Sequence, residues 1–149
     1  MTRGSPIVSR DTRLDRREGG RPRFELGDAL RILAAALVLL GALAAMQLGR
    51  APAWVLAAYL MLGAVGFAVY GFDKRAARNG DWRVSEASLL GIDVIGGIAG
   101  GLLAQFVFRH KTRKDSFVGA TVLIAAVHIV ALASLTLGFW DVPELLFFD

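Results

Sequence analysis

Charge and apolar residues are sorted into separate stretches along this chain, and that sorting limits what it can fold into. Residues 32–48, 53–72, 89–108 and 117–139 contain a single charged residue between them, Asp93, while every Lys and Arg lies outside these blocks. A water-soluble helix or strand interleaves polar and apolar positions at its own period. Segregation by block is instead the pattern of membrane-spanning segments, which need about 20 apolar residues each. Apolar residues make up 55% of the 149, so there is enough for several spans. There is no cysteine, which excludes disulfides, thiolate metal sites and a cysteine nucleophile.

Residues 1–31 read as a disordered, Arg-rich arm. Arg3, Arg10, Arg13, Arg16, Arg17, Arg21, Arg23 and Arg31 alternate with Asp11, Asp15, Glu18, Glu25 and Asp28, with little to bury. A short lead-in helix over residues 25–31 is compatible with this composition. Residues 32–48 read as the first transmembrane helix. Gly41, Ala45 and Gly49 give it a small-residue face for close helix contact. Arg16-Arg17 and Ala42-Leu43-Ala44 look like fragments of a cleavable signal, but Glu18-Gly19 follow the arginines and acids crowd the region, so a retained span is expected.

The second block opens on Trp54 and closes on Tyr70 and Phe72, which read as interfacial aromatics. A charged connection over residues 73–88 follows, with a turn at Asn79-Gly80 and a helix cap at Ser85. The fourth block, residues 117–139, is a plain span with one polar outlier, His128. Residues 140–149 form an acidic tail without Lys or Arg.

The third block, residues 89–108, is the doubtful one. Lys and Arg number eight before block one, one after it, four in each of the next two connections and none in the tail. Four plain spans would export one four-cation connection and keep the uncharged-by-base tail inside, against the positive-inside rule. A third block that enters and returns to the same side removes the conflict. Gly96, Gly97, Gly100 and Gly101 make it physically possible, because closely spaced glycines weaken a helix and permit a sharp bend. The expected fold is therefore all-α, with three full transmembrane helices plus a Gly-broken or re-entrant segment. The alternative is four plain spans, with the glycines paired in GxxxG contacts.

Four short motifs occur in order: Tyr70-x-x-Asp73-Lys74-x-x-Ala77, Trp82-Arg83-Val84-x-Glu86-x-x-Leu89-Leu90, Gly96-Gly97-x-x-Gly100, and Arg109-His110-Lys111-Thr112-x-Lys114-x-x-Phe117. Together they resemble the DUF1294 family of small bacterial membrane proteins, over about residues 53–139. The resemblance implies a multi-pass protein of the bacterial inner membrane, with its N-terminus cytoplasmic by the charge count, and implies little about activity. Some members of that family carry a cold-shock-like nucleic-acid-binding domain before the membrane part. Residues 1–31 are too short for one and lack interleaved aromatics, so nucleic acid is not an expected partner. Asp93 departs from the family pattern, which is mostly apolar there.

Three groups of residues are candidates for chemistry. Arg109, His110, Lys111, Thr112 and Lys114 concentrate cations and a hydroxyl beside the membrane surface, which suits an anionic group such as a lipid headgroup phosphate; the competing role is to anchor topology. Asp73, Lys74, Arg83 and Glu86 on the preceding connection suit ion pairs that lock the ends of block three together, or support of the neighbouring site. Asp93, Gln105 and His128 are polar groups at membrane depth, where a polar side chain is costly and needs a partner or a task. The leading expectation is a non-enzymatic protein that binds an anionic group. The alternatives are an enzyme on a lipid-type substrate using His110, Asp73 and Glu86, and a small ion or metabolite carrier using Asp93 and His128. No metal set, cofactor motif, phosphate loop or nucleophile motif is visible.

Overall fold

The computed structural model describes residues 25–109 and 114–139, and all regular structure among them is helical. The helices are α1 (Leu26–Gln47), α2 (Ala53–Asn79), α3 (Glu86–Ile92), α4 (Ile98–Phe108) and α5 (Asp115–Thr136), with a π-helical turn over Asp93–Gly97 joining α3 to α4. Four segments are long and apolar enough to cross a membrane by length and composition: α1, α2, α5 and the combined stretch Glu86–Phe108.

Local chemistry sets the ends of these helices. The first helix starts at Leu26, earlier than the apolar block. Glu25 and Asp28 form a capping box in which each side chain accepts from the other's backbone N–H. Residues 26–31 are thus the opening turns of α1 itself rather than a separate lead-in, and the division between residues 1–31 and 32–48 moves accordingly. At its other end Gly49 takes a left-handed φ of 65° while Arg50 N–H reaches back to the Ala45 carbonyl. Gly49 therefore ends the helix and packs against nothing within 4 Å, unlike Gly41, which lies under Leu132 of α5. The second helix runs past Phe72 and carries Asp73, Lys74, Arg75 and Arg78 on its last turns before Gly80 caps it in the left-handed region. Ser85 caps α3, accepting from Ser88 N–H at 3.0 Å.

The third apolar block folds back on itself. At Gly96 the backbone leaves the helix with φ 124° and ψ −3°, a conformation that L side chains rarely adopt. Leu89 of α3 and Ala104 of α4 belong to one buried cluster with Tyr70 and Phe117. Fifteen residues apart in a straight helix, they would stand about 22 Å from each other. Nearer the tip, Gly101 lies directly against the Asp93 carboxylate. Along α2, Leu62 meets Gly96, Gly63 meets Gly100, Gly66 meets Gly101 and Gly71 meets Phe108, so α4 runs in the same direction as α2; Leu89 lies by Tyr70 and Ile92 by Gly66, so α3 runs against it. Segment three is a re-entrant hairpin whose feet stand at the end where α2 finishes and where α1 and α5 begin. Neither arm is a span, since the 11 residues of α4 reach about 16 Å against a core of about 30 Å.

The surrounding helices bury narrow stripes: Ala35, Val38, Ala42 and Ala45 on α1; Gly63, Gly66, Tyr70 and Asp73 on α2; Phe117, Thr121, Ala125 and Leu132 on α5. Leu33, Leu37, Leu40, Met61, Leu123 and Val130 are more than two-fifths exposed, a surface suited to hydrocarbon. The hairpin occupies the interior, with 56% of its apolar window buried against 17–22% in the other three segments.

Close approach of α2 and α4 depends on missing side chains. A Cβ on Gly100 would overlap the Gly63 carbonyl, and one on Gly97 would fall 2.6 Å from the Ile92 side chain and 2.7 Å from the Ile92 carbonyl oxygen. Backbone cannot yield as a flexible side chain does, so Gly100→Val should destabilise the protein by about 1–3 kcal/mol or more in detergent unfolding. Gly119→Val, at a helical position with nothing within 4 Å, should stay within about 0.5 kcal/mol of the parent. Equal stability of the two variants would contradict the packing described.

Candidate functional site

A hairpin broken inside an apolar interior exposes backbone polar groups that need partners. His128 of α5 supplies one. Its Nε2 lies 3.2 Å from the Val94 carbonyl oxygen and its Nδ1 2.7 Å from the Tyr59 hydroxyl. A carbonyl only accepts, so in the neutral ring Nε2–H donates to Val94 and Nδ1 accepts from Tyr59. The tyrosine ring also meets the imidazole edge-on, with centroids 5.5 Å apart. His128 thus ties the tip of the hairpin to α2 and α5.

A second tie lies deeper. Tyr70 and Asp93 are both fully buried, and the Tyr70 hydroxyl donates to Asp93 Oδ2 at 2.6 Å. Gln105 lies against the same phenol and donates to Thr121 Oγ1 at 3.4 Å. Thr121 in turn donates to the Phe117 carbonyl at 3.0 Å. Polar contacts therefore pass from the first arm through α2 to the second arm and on to α5. Asp93 Oδ1 makes no hydrogen bond. Tyr70 closes its apolar block in the sequence, yet it faces inward. Phe72, two positions on, is the outward-facing aromatic, at 62% exposed.

The feet of the hairpin are held by charge. Asp73 is fully buried; its Oδ1 accepts from Val84 N–H at 3.0 Å and stands 3.9 Å from Arg83 Nε, which fixes the connection onto α2. Lys114, just before α5, lies 2.6 Å from Glu86 at the start of α3. Arg109, just after α4, reaches Asp28 of α1 at 3.4 Å, and Asp28 also holds Arg31 at 3.2 Å. Lys74 takes no part in these pairs among the described residues; it stands beside Arg75 and Arg78 on the outer side of α2. His110, Lys111 and Thr112 lie outside the described residues. No group of three or more His, Asp or Glu suited to a metal occurs among the described residues.

The structure does not bring Asp93 and His128 onto each other: each serves a different tyrosine of α2. Four contributors, Asp28, Tyr59, Tyr70 and Thr121, were not evident from the sequence. Asp28 looked like one acid among many in a charged arm, because Glu25-x-x-Asp28 lacks the Ser/Thr and Glu/Gln of the usual capping-box signature even though it closes as one. Tyr59 carried no signal beyond a hydroxyl in an otherwise apolar helix, and Tyr70, though it opens the first motif, read as an interfacial aromatic; a tyrosine in an apolar helix is itself a mark of a buried polar partner.

Comparison with known proteins bears on the same region. The family model described as "Protein of unknown function (DUF1294)" matches residues 63–117. "Uncharacterized protein YsdA" of Bacillus subtilis (strain 168) is 39% identical over 80 residues, which is 53% of this chain and 90% of that protein. The chain belongs to the DUF1294 family. The matched segment starts at Gly63, the partner of Gly100, and ends at Phe117, so in this DUF1294 protein it holds the whole hairpin and most of the residues that tie it down. No solved structure matches.

Removing the Tyr70 hydroxyl leaves the Asp93 carboxyl buried without its donor. Tyr70→Phe should cost about 1–3 kcal/mol in detergent unfolding. The double variant Tyr70→Phe/Asp93→Leu should recover most of that loss, since replacing both partners by apolar groups is nearly neutral. A double variant no more stable than Tyr70→Phe would contradict a role confined to their mutual bond.

Proposed function

We propose that this protein is a multi-pass protein of the bacterial cell membrane that holds anionic lipid headgroups at a cytoplasmic basic end. The observation that carries this reading is the gathering of cations. Among the described residues every Lys and Arg except Arg50 stands at the end that holds both feet of the hairpin. Lys111 and Arg113 lie between Arg109 and Lys114 in sequence. Positive residues favour the cytoplasmic face, where anionic lipids also concentrate. Binding is favoured over catalysis because Asp73 and Glu86, the acids beside the basic cluster, each face a cation. An acid held in an ion pair is a poor general base at neutral pH.

Reconstituted with spin-labelled phospholipids, the protein should retain phosphatidylglycerol in its motionally restricted shell several-fold over phosphatidylcholine of the same chains. The preference should fall steeply between low and high salt, as screening weakens exposed charge interactions. Equal retention of the two lipids at low salt would remove the proposal.

A further inference from the structure

Cations at the basic end divide into two sets. Arg31, Arg83, Arg109 and Lys114 each face a carboxylate, from Asp28, Asp73, Asp28 and Glu86 respectively. Lys74, Arg75 and Arg78 face none among the described residues, and all three line one groove of about 560 Å³ between the end of α2 and the end of α4. Their spacing places them on neighbouring turns, with Lys74 and Arg78 one turn apart and Arg75 between them. Among the described residues no Asp or Glu lines the groove.

Below the cations the groove is apolar. Its walls are Phe67, Phe72 and Phe108, with Gly71 between them. Gly71 creates the depth, because a Cβ there would stand 3.1 Å from the Phe108 ring. Phe67 and Phe108 pack at a centroid distance of 5.1 Å and form a fixed floor. The groove therefore offers hydrocarbon contact along the apolar part of α2 and three cations where that part ends. Its volume falls within the range of sites that take small organic molecules.

We infer that this groove is a binding site for one anionic phospholipid, with the phosphate held by Lys74, Arg75 and Arg78 and an acyl chain laid against Phe67 and Phe108. The inference rests on the anionic-lipid reading above and moves its site. The four carboxylate-paired cations hold the fold together, and the three on α2 that face no carboxylate among the described residues hold the ligand. Charge complementarity selects an anionic headgroup, and the apolar wall selects a lipid over free phosphate.

Native mass spectrometry of the detergent-solubilised full chain, titrated with phosphatidylglycerol or phosphatidylcholine, tests this. The parent should bind a first phosphatidylglycerol in preference to phosphatidylcholine. Neutralising the groove as Lys74→Gln/Arg75→Gln/Arg78→Gln should lower that preference about fivefold per cation. Ala68→Trp keeps all three charges and fills the groove, and should also abolish the preference. Arg50→Gln, at the opposite end of the helices, should leave it largely intact. Loss with Lys111→Gln but not with the triple variant would overturn the groove while leaving anionic-lipid binding standing. Full binding by Ala68→Trp would show a diffuse cationic field instead of a groove, and would overturn it too. Displacement of the bound lipid by millimolar inorganic phosphate would assign the cations to a headgroup-only site, against the acyl contact inferred. No preference in the parent would remove both proposals together.

Discussion

A helix interrupted at membrane depth has backbone groups that lipid cannot satisfy, and this constraint governs the rest of the molecule. The interruption is at Gly96, where φ 124° turns the chain back. Everything around it supplies cover or partners. Three longer helices surround the hairpin. His128 takes up the Val94 carbonyl, and Tyr70 takes up one oxygen of Asp93. The glycines that follow the break let α4 lie against α2 at backbone distance, so dispersion contacts compensate for the absence of a hydrophobic drive between helices in lipid. Three further carboxylates, Asp28, Asp73 and Glu86, lie at the feet and close the hairpin onto α1, α2 and α5.

Such a fold is most heavily tied where it is unusual. The tip is tied by a histidine and a tyrosine, the arms by a buried hydroxyl–carboxylate bond, and the feet by ion pairs. That distribution assigns most polar residues a structural task and leaves few for ligands. The groove beside Lys74 is different in kind, since its cations face no carboxylate among the described residues and its wall is apolar. The buried acid of α2 and its groove-lining cations thus lie on different sides of the helix. Asp73 points inward, and Lys74, Arg75 and Arg78 line the groove beside α4.

Much of this was legible in the sequence, because membrane topology is written in block composition. The positions of Lys and Arg marked the third block as the odd one, and four glycines in six residues supplied the means of turning it. What the sequence could not show was pairing. Asp93 was visible as an acid at depth, but its partner Tyr70 lies 23 residues away and reads as an interfacial aromatic. His128 and Tyr59 are 69 residues apart. Helix ends also moved: α1 starts at Leu26 and α2 runs to Asn79, because capping and helix propensity carry a helix past the apolar stretch it serves. Lys74 was grouped with the pairing residues by proximity in sequence, whereas the helix turns it to the other side.

The central claim is that segment three enters and leaves on the same side. The chain has no native cysteine, so single cysteines report cleanly. Asp81→Cys precedes the hairpin, Thr112→Cys follows it, and Gln47→Cys marks the opposite end of α1. In right-side-out membranes a charged, impermeant thiol reagent should label Gln47→Cys from outside and should reach both Asp81→Cys and Thr112→Cys only after permeabilisation. Labelling of Asp81→Cys and Thr112→Cys from opposite sides would make residues 86–108 a plain span and contradict the hairpin.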